Sequence, residues 1–136
     1  MTQDDLTGSC LCGAVTFSIA DSFELFHLCH CLQCRKTTGT AHASNLFTTP
    51  DNIRWHTGED VLARYDVEGR TISNVFCNRC GSRMPYLSLS GKALVVPAGS
   101  LDQTPSLEPI ANIFWPERAA WYEAAMAAPT FVEFAD

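Results

Sequence analysis

Long apolar runs are missing from this chain: no stretch approaches the roughly 20 residues needed to span a bilayer. The start, Met1-Thr2-Gln3-Asp4-Asp5, holds neither a basic segment nor an apolar one, so no signal peptide is expected and the chain reads as soluble and cytoplasmic. Basic side chains are scarce. Against 15 Asp and Glu there are 9 Lys and Arg, giving a net charge of −6 and a pI near 5.0. Non-specific nucleic-acid binding depends on a basic surface, and aromatic and basic residues are not interleaved here, so that function class is disfavoured. Whole-unit repeats, low-complexity tracts and linkers are also missing. With 46% hydrophobic residues the chain can bury an ordinary core, which argues against disorder, and 136 residues suit one domain over residues 1–136.

Acidic side chains are missing from two windows in particular. None occurs between Leu25 and Pro50, nor between Gly69 and Leu101. The same windows hold Arg35, Lys36, Arg70, Arg79, Arg83 and Lys92, which are six of the nine basic residues, and five of the 7 cysteines. Two explanations stand side by side. Thiolates around a metal make a negative site that wants cations nearby, and an anionic ligand would want the same.

What is present reads mostly as short strands. From Cys12 to Ile19, Val15, Phe17 and Ile19 share one face, the period-two pattern of a half-buried strand. Further strands are expected around Leu25–Leu28, His42–Phe47, Val61–Tyr65, Thr71–Phe76 and Ala93–Val96, with Ile110–Phe114 as the last. Turn residues such as Pro50-Asp51-Asn52 and Ser90-Gly91 separate them at all-β spacing. A short helix is expected over Leu32–Thr38, and an Ala-rich one over Glu117–Ala127, opened by Pro116 and stopped before Pro129. The fold class is therefore mainly β with a short C-terminal helix.

The cysteines fall in three clusters: Cys10-Leu11-Cys12, Cys29-His30-Cys31-Leu32-Gln33-Cys34, and Cys77-Asn78-Arg79-Cys80-Gly81. In a reducing compartment such clusters read as metal ligands or reactive groups rather than disulfides, and an odd count resists a closed disulfide framework. Zinc binds thiolates at about 2.3 Å in a tetrahedron, so ligands must converge from tight turns or strand ends. Cys77 and Cys80 form a C-x-x-C turn with a following glycine, and Cys10 and Cys12 on extended chain would point to one face. These two pairs make a four-cysteine structural site. Cys29, Cys31 and Cys34 then supply three ligands and leave one position open, the signature of a catalytic zinc. Spacing alone also permits Cys31 and Cys34 to pair with Cys77 and Cys80 as a zinc ribbon.

In these motifs the chain resembles the glutathione-dependent formaldehyde-activating enzyme (GFA) family. The matching pieces are Gly8-Ser9-Cys10-Leu11-Cys12-Gly13-Ala14-Val15, Cys29-His30-Cys31 through Cys34-Arg35-Lys36-Thr37-Thr38-Gly39, Phe76-Cys77 through Cys80-Gly81-Ser82, and Val96-Pro97-Ala98-Gly99-Ser100-Leu101-Asp102. The resemblance implies an Mss4-like fold of small coiled β-sheets, a single GFA-type zinc-binding domain, and two zincs per chain. Cys10, Cys12, Cys77 and Cys80 would hold the structural one, and Cys29, Cys31 and Cys34 a labile one at the active site. It implies a carbon–sulfur lyase-type enzyme that joins glutathione, or a similar thiol, to formaldehyde or another small aldehyde as an S-hydroxymethyl adduct. The alternative is a non-catalytic glutathione carrier or interaction module. Arg35 and Lys36 are the first candidates for cations beside the cysteinates. The C-terminal part departs from the family pattern, with Asn112-Ile113-Phe114 where His-Ile-Phe is usual and Ala119-Ala120-Trp121 where Ala-Pro-Trp is.

Other polar residues carry blander readings. His30, between two ligands on extended chain, is expected to point away from the metal and pack or donate a hydrogen bond. His27, His42 and His56 receive no role; Ser44 and Asn45 follow the Gly39 turn, where they could line a pocket, but read rather as solvent-exposed strand positions. Trp115, Trp121 and Tyr122 are expected to anchor the terminal helix, and Pro97-Ala98-Gly99 to make a tight turn.

Overall fold

Ten short strands and two short helices carry residues 5–135, which a computed structural model describes. The acidic start Met1 to Asp4, read above for a signal peptide, and Asp136 lie outside the described residues. In chain order the elements are β1 (Asp5–Ser9), β2 (Thr16–Ala20), β3 (Leu25–Cys29), α1 (Leu32–Thr38), β4 (Ala43–Thr48), β5 (Arg54–Thr57), β6 (Leu62–Asp66), β7 (Ser73–Cys77), β8 (Tyr86–Leu87), β9 (Leu94–Pro97), β10 (Ala111–Ile113) and α2 (Tyr122–Ala127). They form a three-stranded sheet β1-β2-β5, a five-stranded sheet β10-β3-β4-β9-β8, and the hairpin β6-β7. All pairings are antiparallel except β10 with β3.

The five-stranded sheet organises everything else. Side chains alternate across a strand, so Phe26, Leu46, Leu94 and Val96 point one way and join Leu6, Val15, Phe17, Ile19 and Met84 in the main core. The residues between them, His27 and Cys29 on β3, Asn45 and Phe47 on β4 and Val95 on β9, look the other way and line a cavity. Two covered faces explain why these strands are not cleanly half polar.

Several expectations shift. The first segment is not extended from Cys12: strand β2 starts at Thr16, and Cys10–Val15 is a turn, with the Cys10 N–H bonded to the Val15 carbonyl (3.0 Å) and the Gly13 N–H to that of Cys10 (3.1 Å). Gly13 sits at φ 82, the left-handed region this turn requires. The helix expected over Glu117–Ala127 is shortened to Tyr122–Ala127. Pro116 instead opens a single 3₁₀ turn, Trp115–Glu117, which ends where Arg118 turns extended at ψ 152°. The Arg118 guanidinium stacks 4.4 Å over the Trp115 ring and pairs with Glu123 at 3.2 Å, and this tertiary clasp overrides helix propensity. Strands β1, β5 and β8 were not expected. No helix among the described residues is long and apolar enough to cross a membrane.

Candidate metal centres and the cavity beside them

Two knuckles face each other. The first is the Cys10–Val15 turn. The second runs from the end of β7, where the Gly81 N–H bonds the Cys77 carbonyl (2.8 Å) and the Cys77 N–H bonds that of Ser82 (3.0 Å). Their four sulfurs, from Cys10, Cys12, Cys77 and Cys80, all lie within 4.8 Å of one another. Cys10 Sγ is 3.6 Å from Cys12 Sγ, and Cys12 Sγ is 3.9 Å from Cys77 Sγ. A tetrahedron with zinc–sulfur bonds of about 2.3 Å has edges of about 3.8 Å, so the donor set fits such an ion. Backbone N–H groups of Val15 and Arg79 point at Cys10 Sγ (3.2 Å) and Cys77 Sγ (3.4 Å), the donors a thiolate needs. Ser82 ties the knuckles together: its Oγ accepts from the Leu11 N–H (3.0 Å) and lies 3.2 Å from Cys80 Sγ. That hydroxyl, with the backbone N–H groups nearby, draws the Cys80 thiol down to about 5.

The second set is built around the start of α1. Cys29 ends β3, Cys31 is the helix N-cap and accepts from the Cys34 N–H (3.3 Å), and Cys34 stands in the first turn. All three are buried, with their sulfurs within 4.8 Å. Hydrogen bonding to the Cys34 thiol, foremost, pulls Cys29 down to about 6 against the effect of burial, while Cys34 is pushed far up as the proton holder of the pair. Three thiols packed this tightly, one already favouring the thiolate, fit a metal with one position left open. All three cysteines line a cavity of about 330 Å³. The structure therefore separates the clusters four and three, and the ribbon pairing of Cys31 and Cys34 with Cys77 and Cys80 is not made.

The sequence profile described as "Glutathione-dependent formaldehyde-activating enzyme" matches residues 5–117. The chain belongs to the GFA family. It is 34% identical over 100 residues to a Halomonas elongata protein named "Putative glutathione-dependent formaldehyde-activating enzyme", covering 70% of this chain and 64% of that one. The chain thus spans about 64% of the length of the curated relative it matches. A crystal structure of a Rhodobacter sphaeroides protein shares the fold, with a TM-score of 0.53 and 24% identity over 78% of this chain and 98% of that one. The mainly β architecture of small sheets with a short C-terminal helix is the one the resemblance implied.

The remaining expected residues of this GFA chain are placed as follows. Arg35 donates through Nη1 to the Glu117 carbonyl (3.1 Å), while the Glu117 carboxylate accepts the Leu32 N–H (3.0 Å). Lys36 is exposed, and neither Arg35 nor Lys36 is among the residues lining the cavity. The cationic residue that does line it is Arg70, carried by the tip of the β6-β7 hairpin, with Thr71 and Ile72 beside it. His30 is fully buried (0% exposed) and turned into an aromatic cage of His42, Trp115 and Tyr122, with ring centroids 5.0, 5.0 and 4.8 Å away. Its Nε2 lies 2.9 Å from Asn112 Oδ1, and its backbone N–H donates to the Ile113 carbonyl at 3.0 Å, so β10 is fixed against the cysteine turn. Trp115 and Tyr122 thus anchor the C-terminal part, whereas Trp121 is half exposed. Asn45, read as a solvent-exposed strand position, is buried at 7% exposure and lines the cavity; Ser44, on the opposite face, is partly buried beside His42.

Proposed function

We propose that this GFA chain joins a thiol, glutathione or a close relative, to formaldehyde or another small aldehyde, acting as a zinc-dependent carbon–sulfur lyase run in the synthetic direction. The observation that carries this reading is the three-cysteine set opening on a cavity while the four-cysteine set closes on itself. Cys10, Cys12, Cys77 and Cys80 would hold a structural zinc, and Cys29, Cys31 and Cys34 a second, exchangeable one. Zinc in the second set would supply an open position at which an incoming thiol gives up its proton and becomes the nucleophile. In the overall reaction the sulfur electron pair forms the new carbon–sulfur bond, the carbonyl pair moves onto oxygen, and the proton lost by sulfur returns to that oxygen. The product is S–CH₂–OH. Phe47, Ile72, Val95 and Ile113 wall the cavity and limit water around the reacting carbon, and Arg70 offsets the negative charge of the thiolates. With 7 free cysteines as ligands, a reducing compartment such as the cytoplasm suits the protein.

The test is exchange NMR on ¹³C-formaldehyde and glutathione at equilibrium, with zinc per chain measured in parallel. The expected result is faster interconversion of hydrated formaldehyde and the S-hydroxymethyl adduct with wild-type protein, lost in Cys31→Ala. Glutathione binding without any acceleration would make the protein a carrier and overturn the enzymatic reading.

A further inference from the structure

Among the described residues, Phe114 is the only non-glycine with a positive φ. It stands where β10 breaks off, at φ 54° and ψ 40°, in the left-handed region that strains a bulky side chain. Core packing does not account for that strain. Phe114 is 50% exposed and belongs to none of the three buried apolar clusters. Nor does its ring touch the neighbouring cage of His30, Trp115 and Tyr122. What the conformation changes is direction. Side chains alternate along a strand, so a regular residue after Ile113 would turn to the opposite face. Ile113 packs against the cysteine set, yet Ile113 and Phe114 both line the cavity. The left-handed turn thus brings two consecutive residues to one wall. That wall is at the cysteine end. Ile113 pairs with Cys29 in the parallel ladder, and its carbonyl accepts the His30 N–H at 3.0 Å. Paired strands run about 4.8 Å apart, so Phe114, the next residue, stands close beside the segment that carries Cys29 and Cys31.

The geometry points to Phe114 as a specificity-determining residue, one that limits the carbonyl partner to an aldehyde without a carbon substituent. This inference rests on the thiol–aldehyde reading given above and adds the residue that chooses among aldehydes. In that reaction the carbonyl carbon becomes bonded to the sulfur that lies against the three cysteines. A hydrogen on that carbon needs almost no further room. A methyl or larger group must find space within a few bonds of the cysteines, where Ile113 and Phe114 form the wall. Ile113 is fixed by its packing on the cysteine set, and enlarging the cavity there would disturb the ligands. Phe114 lies outside the core, so its ring sets the limit without supporting the fold. A small residue at 114 would relax the backbone and open the wall, so stability alone does not favour the phenylalanine.

The test compares wild type with Phe114→Ala and Phe114→Gly. Both lack the ring, and only glycine adopts the left-handed conformation without strain. Calorimetric binding is measured with two thioethers, neither of which needs turnover. S-ethylglutathione carries a CH₂–CH₃ group that matches the CH₂–OH of the one-carbon adduct in size. S-tert-butylglutathione crowds the same carbon with two more methyl groups. In both variants the affinity for the tert-butyl compound relative to the ethyl one is expected to rise about tenfold over wild type, as an overpacked contact is relieved. The kcat/KM ratio of isobutyraldehyde to formaldehyde, with glutathione as the thiol, should rise in the same sense. Phe114→Gly should also have the higher Tm of the two variants. A residue that only filled the fold would lower Tm in both and leave the affinity ratio alone. An affinity ratio within twofold of wild type in both variants, with the ethyl compound still bound, would overturn the inference and spare the thiol reading. Wild type that binds neither compound would sink that reading, and this inference with it.

Discussion

Replacing Cys77 with serine is expected to undo the fold, while replacing Cys29 is not, because the two cysteine sets close loops of very different length. Cys77 and Cys12, 3.9 Å apart, are separated by 65 positions. A cross-link across that length removes about 4 kcal/mol of chain entropy from the unfolded state by the standard loop-closure relation. The three-cysteine set closes a single turn, for which the same relation gives about 2 kcal/mol, and α1 with its N-cap already fixes part of that turn. Domains of this size are held by only about 5–15 kcal/mol in total, so losing the longer tie removes a large fraction. The assay is equilibrium urea unfolding of wild type, Cys77→Ser and Cys29→Ser, each with excess zinc and with a strong chelator. With zinc, Cys77→Ser should lose about 4 kcal/mol or more and Cys29→Ser about 2 or less. With chelator, wild type should collapse onto Cys77→Ser, since both lack the same tie. Equal losses in the two variants, or wild-type stability indifferent to chelation, would refute the assignment of Cys10, Cys12, Cys77 and Cys80 as the structural set.

Two further outcomes are expected. Gly58 sits at φ 83, and a Cβ there would run into the Ala14 carbonyl, so Gly58→Ala should cost about 2–3 kcal/mol in urea unfolding, while Gly91→Ala, at φ 74 in open space, should cost only about 1; equal costs would mean the close approach to Ala14 is not felt. His42 is held below its ordinary range by burial first and by His30 second, so its neutral form is the one the fold accommodates. The unfolded chain then takes up its proton before the folded one does, and stability is lost as pH falls through about 6.5. Urea midpoints of wild type from pH 8 to 5.5, with zinc in excess, should therefore fall more steeply than those of His42→Gln, and parallel curves would count against the buried neutral histidine.

What the sequence made legible follows the range over which each feature is determined. Helix α1 is expected and observed over Leu32–Thr38 because its ends are set locally, by Cys31 as N-cap and Gly39 in the left-handed region. The cysteine knuckles are legible for the same reason. Strand β5 was missed because Arg54–Thr57 lies at a sheet edge with little burial and no alternation, and β8 because two residues carry no period. The C-terminal helix was overextended because its start depends on a clasp between Arg118, Trp115 and Glu123 that propensity cannot register. Apart from the three cysteines and the lesser reading of Asn45, the lining of the cavity was missed. Asn45 looks like a wet strand position until the sheet is known to have a second covered face, and Arg70 belongs to a hairpin far along the chain from the cysteines it overlooks. Arg35 and Lys36 were favoured by adjacency in sequence, which a helix turns away from the cavity.

The acid-free windows distinguish between the two explanations that the sequence left open. If they existed to balance cysteinates around a metal, the four-cysteine set, with the greater negative charge, would need them more; yet Cys10 and Cys12 lie outside both windows. The windows instead coincide with the cavity: except for Ile113 and Phe114, every residue described as lining it comes from one window or the other. No carboxylate is among those residues. At an effective dielectric constant near 20, a carboxylate about 6 Å from a single negative charge costs about 3 kcal/mol, and a site of three cysteinates that receives a fourth thiolate carries more than one. Most of the basic residues in the windows are committed elsewhere or face solvent, Arg35 on the Glu117 carbonyl and Arg83 on Asn74 and the Ser73 carbonyl. Their number is therefore a poor guide to the site. The informative signal is the exclusion of acids, and it marks the walls against which an anionic thiol would have to lie.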